Sequence, residues 1–127
     1  MTPSLDTMRR EEKILIVEDN PMIAQAIEDA GVQLRYSCDR VTDGWDAIEK
    51  LETEEYAAIV IDANVPRHSG YGVLTYLREE IGDELNNVIV LTSTDRNEVR
   101  RFGEQLRVVA TQAEAVAEMS LLATARN

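Results

Sequence analysis

The sequence predicts an α/β fold: a doubly wound, five-stranded parallel sheet with helices on both faces. Three observations lead there. From Lys13 onward, short apolar runs alternate with segments of helical periodicity, the pattern of a parallel sheet covered on both sides. Ile14–Val17, Ala57–Ile61 and Val88–Leu91 are almost wholly apolar, as befits strands buried on two faces rather than one. Capping and turn residues separate the runs, so each element has a start that the local chemistry explains.

Taken in order, ILIV (Ile14 to Val17) is the first strand and leads into Glu18 and Asp19. Asn20 followed by Pro21 opens a helix, because asparagine caps free amides and proline suits the first helical position. Met22, Ile23, Ala26, Ile27 and Ala30 follow at helical spacing, and Gly31 can end the turn. LRYSCDRV (Leu34 to Val41) is the least apolar strand and is therefore placed at a sheet edge. Thr42 or Asp43 caps a second helix, on which Trp45, Ile48 and Leu51 form the expected inner stripe.

The third strand, Ala57–Ile61, runs into Asp62. After a loop containing Pro66, Ser69 caps a helix that turns Val73, Leu74 and Leu77 inward. Val88–Leu91 is the fourth strand and ends in Thr92, Ser93 and Thr94. Asp95 with Glu98 forms a capping box for a helix with Val99, Phe102 and Leu106 at periodic positions. Arg107–Ala110 is a short fifth strand, and Thr111 with Glu114 repeats the capping box. In the last helix, Val116, Ala117, Ser120, Leu121 and Thr124 are the expected inner positions.

Composition bounds what such a fold can do. The 127 residues correspond to one domain, long enough to bury roughly two-thirds of the unfolded surface. Residues 1–12 form a polar lead-in expected to be flexible, and the folded domain is expected to occupy 13–127. A formal charge of −11 disfavours nucleic acid and acidic membrane surfaces as partners. No apolar run approaches the ~18 residues of a membrane span, and the first residues lack the apolar centre of a signal peptide, so a cytoplasmic location is expected. One cysteine, Cys38, and one histidine, His68, allow neither an internal disulfide nor an ordinary zinc site.

Right-handed crossovers and short connections favour the strand order 2-1-3-4-5, which leaves the polar second strand at an edge and centres the third. Ligands of such sheets bind beyond the carboxyl ends of the strands where the order reverses, here between the first and third. Glu18, Asp19 and Asp62 end those two strands, and neighbouring strands lie ~4.8 Å apart. Two unit charges ~4 Å apart repel by about 4 kcal/mol at an effective dielectric near 20, so the cluster calls for a cation. All-oxygen ligands at an open, hydrated site favour Mg2+ over softer metals and over calcium. The Thr92 hydroxyl, with Ser93 beside it, joins the same rim, and Asn64 offers a backbone carbonyl. Carboxylates, a divalent cation and a hydroxyl suit phosphoryl transfer with aspartate as the nucleophile.

The motifs ILIVEDNP, DGWDAI, VIDANVPRHSG and VIVLTS resemble those of response regulator receiver domains of two-component systems, over residues 13 to about 124. The resemblance implies a flavodoxin-like fold and phosphorelay signalling. It makes Asp62 the phosphoacceptor, Thr92 the switch hydroxyl, and Glu18, Asp19, Asp62 and the Asn64 carbonyl the surroundings of Mg2+. It implies a sensor histidine kinase or histidine phosphotransfer protein as donor, a downstream protein target, and a possible homodimer through the last two helices. Such a protein assists its own phosphorylation without being a dedicated enzyme, and the chain length suits a receiver working alone.

The departures lie at the end of the fourth strand and along the fifth. Ser93 stands where the family has alanine or glycine, narrowing access slightly. Ala110 stands where the family has a lysine, and Arg107 where it has an aromatic switch residue. Either Arg67 or Arg96 replaces the lost charge, or phosphorylation is slow and weakly coupled. The alternatives are a pseudoreceiver that binds its partner without phosphorylation and a hydrolase with an aspartate nucleophile. The hydrolase is disfavoured because Asn64 stands where its second aspartate belongs. A flavin-binding sheet is disfavoured because the acidic loop after the first strand lacks phosphate-binding glycines.

Overall fold

The computed structural model describes residues 12–80, 82, 85–93 and 96–125. Ten elements alternate along it: β1 (Lys13–Val17), α1 (Pro21–Gln33), β2 (Ser37–Val41), α2 (Gly44–Thr53), β3 (Ala58–Asp62), α3 (Gly70–Glu80), β4 (Val88–Leu91), α4 (Arg96–Arg100), β5 (Arg107–Val109) and α5 (Gln112–Ala125). The strands form one parallel sheet in the order β2-β1-β3-β4-β5. The polar strand is thus at an edge and β3 at the centre, as the apolar pattern predicts.

Alternation along the strands sorts the core into two layers. Leu15, Val17, Ile59, Ile61, Val88 and Val90 face Ala47 and Leu51 of α2, Val73, Leu74 and Leu77 of α3, and Val99 of α4. On the other face, Ile14, Ile16, Ala58, Val60 and Ile89 meet Ala24 and Ile27 of α1 and Ala115, Met119 and Ala123 of α5. Each fully buried aliphatic side chain contributes about 1.5–3 kcal/mol. Both faces of the central strands are occupied, which leaves the rims of the sheet as places for polar chemistry. Among the described residues, no helix is long and apolar enough to cross a membrane.

Several expectations need correction. Trp45 does not belong to the inner stripe of α2: it is 54% exposed, and Gly44, Ala47 and Leu51 are the buried positions. Small residues let the helix approach the sheet, so the large ring turns outward. Gly31 does not end α1, which continues to Gln33. A Cβ at Gly31 would lie 2.8 Å from Cys38 Sγ, so its role is close helix–strand approach, while Arg35 takes the left-handed turn at φ 68°.

The inner face of α5 is Ala115, Met119 and Ala123, not the set around Val116 and Leu121, which is itself 59% exposed. The helix α4 has five residues, so Phe102 and Leu106 lie in the turns that follow it. The third strand includes Asp62, and the fifth stops at Val109. Asp95, expected to cap α4, lies outside the described residues.

Candidate phosphoacceptor and metal site

The rim formed by the carboxyl ends of β1 and β3 carries the acidic groups. Register places Val17 beside Ile61, so Glu18 and Asp62 leave adjacent strands at the same level. Glu18 extends β1 by one residue through its amide, which donates to the Val41 carbonyl at 3.0 Å. Beyond it the chain must turn, and Asn20 starts the turn into α1 by accepting from the amides of Met22 (3.0 Å) and Ile23 (3.3 Å).

Asp62 is half-buried, and its Oδ1 accepts from the Asn64 amide at 2.8 Å. Gly70 closes the loop: its amide donates to Ala63 O at 3.2 Å, and a Cβ there would lie 2.7 Å from Asp62 O. The spacing from Asp62 to Gly70 is therefore steric in origin.

One carboxylate oxygen from each of Glu18, Asp19 and Asp62 lies within 4.8 Å of the others. Asp19 is exposed, whereas Glu18 is 3% exposed and its Oε1 is buried without a hydrogen-bond partner. Burial, then the adjacent Asp62 carboxyl, pushes Glu18 up to about 8, partly offset by the Asn20 amide. An oxygen this costly to leave unpaired is a fitting ligand for a hard cation, and the all-oxygen donor set suits Mg2+.

Leu91 pairs with Asp62, so the buried Thr92 comes one residue past the partner of Asp62 on the neighbouring strand. The Thr92 amide donates to Val109 O at 3.0 Å, which brings Ala110 alongside it at the same rim, exposed. Ser93 is exposed too. Arg107 points elsewhere: Nε donates to Asn86 O at 2.9 Å and Nη1 lies 3.1 Å from Glu118 Oε2, toward the opposite end of β4.

Neither arginine considered as a replacement for the lysine has its ion pair at Asp62. Arg67 binds Asp43 at 3.0 Å and Arg96 lies 3.8 Å from Glu114. Asp43 also caps α2 by accepting from the Asp46 amide at 2.9 Å. The link from the β3–α3 loop to the start of α2, including a stacked Trp45–His68 pair with centroids 4.3 Å apart, was not legible from motif spacing. Its one sequence signal is the glycine directly after the cap, since a Cβ at Gly44 would overlap the His68 carbonyl at 1.4 Å.

A doubly wound sheet with an acidic trio at its switch point defines an α/β domain with a site suited to a hard cation, and comparison with known proteins places it in a family. A family model described as the response regulator receiver domain matches residues 14–119. The chain belongs to this family, whose members serve two-component phosphorelay signalling and bind Mg2+ in the active site. The transcriptional activator protein IrlR of Burkholderia pseudomallei is 35% identical over 83 residues, covering 65% of this chain and 35% of the relative. The chain thus spans about a third of the length of that curated relative.

Among solved structures, the receiver domain of a Francisella response regulator superposes with a TM-score of 0.73 at 23% identity, covering 92% of this chain and all of that one. The receiver domain of the sensor histidine kinase PA1611 of Pseudomonas aeruginosa, solved with magnesium coordinated in its active-site cleft, gives 0.71 at 27% identity, covering 91% and 99%.

Proposed function

We propose that Asp62 accepts a phosphoryl group from a partner's phosphohistidine and that Glu18, Asp19, Asp62 and the Asn64 carbonyl hold Mg2+. The observation that carries this reading is the meeting of three carboxylate oxygens within 4.8 Å, one of them on a buried side chain with an unpartnered oxygen. A carboxylate oxygen of Asp62 attacks phosphorus, the O–P bond forms as the P–N bond breaks, and the imidazole keeps the electron pair and takes a proton from solvent. Held by those groups, Mg2+ would supply neutralisation of charge on the phosphoryl oxygens. Thr92, at the next strand end, offers its hydroxyl to one of those oxygens. Glu18, buried beside Asp62, would carry a proton in the metal-free site.

The partners that fit are a sensor histidine kinase or histidine phosphotransfer protein as donor and a downstream protein as receiver of the signal. A relative described as a transcriptional activator fits transcriptional control as the kind of response such a signal serves. A second reading, a phosphorylation-independent pseudoreceiver, is favoured by one observation: Ala110 offers no cation where the family has lysine, and Arg67 and Arg96 pair with Asp43 and Glu114.

Acid-labile phosphate separates the readings. With a small phosphodonor and Mg2+, the wild type becomes labelled and Asp62→Asn does not. Label that persists in the variant places the acceptor elsewhere, and no label on the wild type with several donors favours the pseudoreceiver.

A further inference from the structure

We propose that the loop after Asp62, residues 63–69, together with the start of α2, is the output element of this chain, displaced when Asp62 is modified. The proposal rests on Asp62 being the phosphoacceptor. Its starting point is the 2.8 Å bond from the Asn64 amide to Asp62 Oδ1, which seats the loop on the reacting carboxylate itself. Turning that carboxylate into an acyl phosphate replaces an anionic acceptor by an uncharged carbonyl or ester oxygen. Charge-assisted hydrogen bonds are roughly twice as strong as neutral ones, so the seat of the loop weakens on modification.

The far side of the loop is bound to α2 without slack. Pro66 O accepts from the Gly44 amide at 3.3 Å and Arg67 O from the Trp45 amide at 3.2 Å, so loop carbonyls bond to the first amides of the helix. Arg67 bridges to Asp43 at 3.0 Å, and the His68 ring stacks on Trp45 at 18°. A Cβ at Gly44 would overlap the His68 carbonyl, and one at Gly72 would lie 2.3 Å from His68 Nε2. Arg67 and His68 both hold left-handed backbone, at φ 50° and 69°, which non-glycine residues keep only where surrounding contacts impose it.

A shift of Asn64 therefore reaches Trp45, whose half-exposed ring and the exposed Arg67 give this corner a surface that a partner can read. The opposite route, through the fifth strand, lacks an aromatic relay, because Arg107 is fastened to Asn86 and Glu118.

The test is amide hydrogen exchange, with the emission of Trp45, the one tryptophan in the chain, recorded on the same samples. Samples carry acetyl phosphate and Mg2+, and intact mass reports how much protein is phosphorylated. The expected result is faster exchange at the Gly44 and Trp45 amides and a red shift of the indole emission, in proportion to the phosphorylated fraction, with neither in Asp62→Asn. His68→Ala becomes phosphorylated as the wild type does and loses the emission shift while keeping the exchange change. Full phosphorylation with unchanged exchange at Gly44 and Trp45, or with changes confined to β5 and α5, overturns the output proposal and leaves the phosphoacceptor intact. Absence of phosphorylation in every sample overturns both.

Discussion

The guanidinium of Arg67 lies 3.0 Å from the buried carboxylate of Asp43, across the rim of the sheet rather than over Asp62. Arg67 is thus engaged in holding a loop to a helix. Phosphoryl groups bring about −1.5 to −2 charges. At Ala110 the chain supplies nothing to meet them.

Restoring the cation should accelerate the chemistry. Ala110→Lys places an ammonium beside Thr92, and a contact contributing about 1.4 kcal/mol in the transition state raises the labelling rate roughly tenfold. Time courses of intact mass with a small phosphodonor measure this. Arg67→Ala should leave the rate unchanged, because its partner is Asp43; a large fall would show that Arg67 serves the phosphoryl group.

Magnesium binding should be linked to pH through Glu18. Its folded value of about 8 exceeds the ordinary 4.5. A raised acid favours folding below its unfolded pKa and loses that contribution as pH rises through the folded one, so the metal-free protein becomes less stable from about pH 4.5 to 8. Binding Mg2+ then releases a proton, and affinity rises by up to about tenfold per pH unit until it levels off above about 8. Calorimetric titrations in buffers of different ionisation enthalpy report both effects. Glu18→Gln removes the unpaired buried charge, stabilising the metal-free protein at pH 8 by about 1–3 kcal/mol and abolishing the proton release.

The corner between α2 and the β3–α3 loop should be intolerant of added volume. Gly44→Ala drives a methyl group into the His68 carbonyl and is expected to cost about 2–3 kcal/mol in a urea melt. A change below ~0.5 kcal/mol, the range of ordinary surface substitutions, would mean the loop yields easily.

Much of the architecture was written in the chain. Runs such as Val88–Leu91 announce strands because apolar content on both faces has no other economical use, and Asn20–Pro21 announces a helix start because two local effects coincide. The acidic rim was legible because Glu18, Asp19 and Asp62 terminate strands that topology makes neighbours.

Helix phase was harder. In α5 alanine, valine, leucine and methionine are spread around all sides of the helix, so apolar periodicity does not distinguish the Ala115, Met119, Ala123 face from its neighbours. Trp45 shows the same limit: it shares helical spacing with Ile48 and Leu51, yet Gly44 and Ala47 hold the inner positions. The pairings Arg67–Asp43 and Trp45–His68 join segments more than twenty residues apart and depend on tertiary approach, which local spacing does not encode.

Reductive trapping with borohydride tests the central assignment most directly. Wild-type protein treated with a small phosphodonor and Mg2+, then reduced and digested, should yield a peptide with homoserine at position 62, absent when Mg2+ is withheld. Homoserine at another aspartate, or trapping at position 62 that is indifferent to Mg2+, would contradict the account.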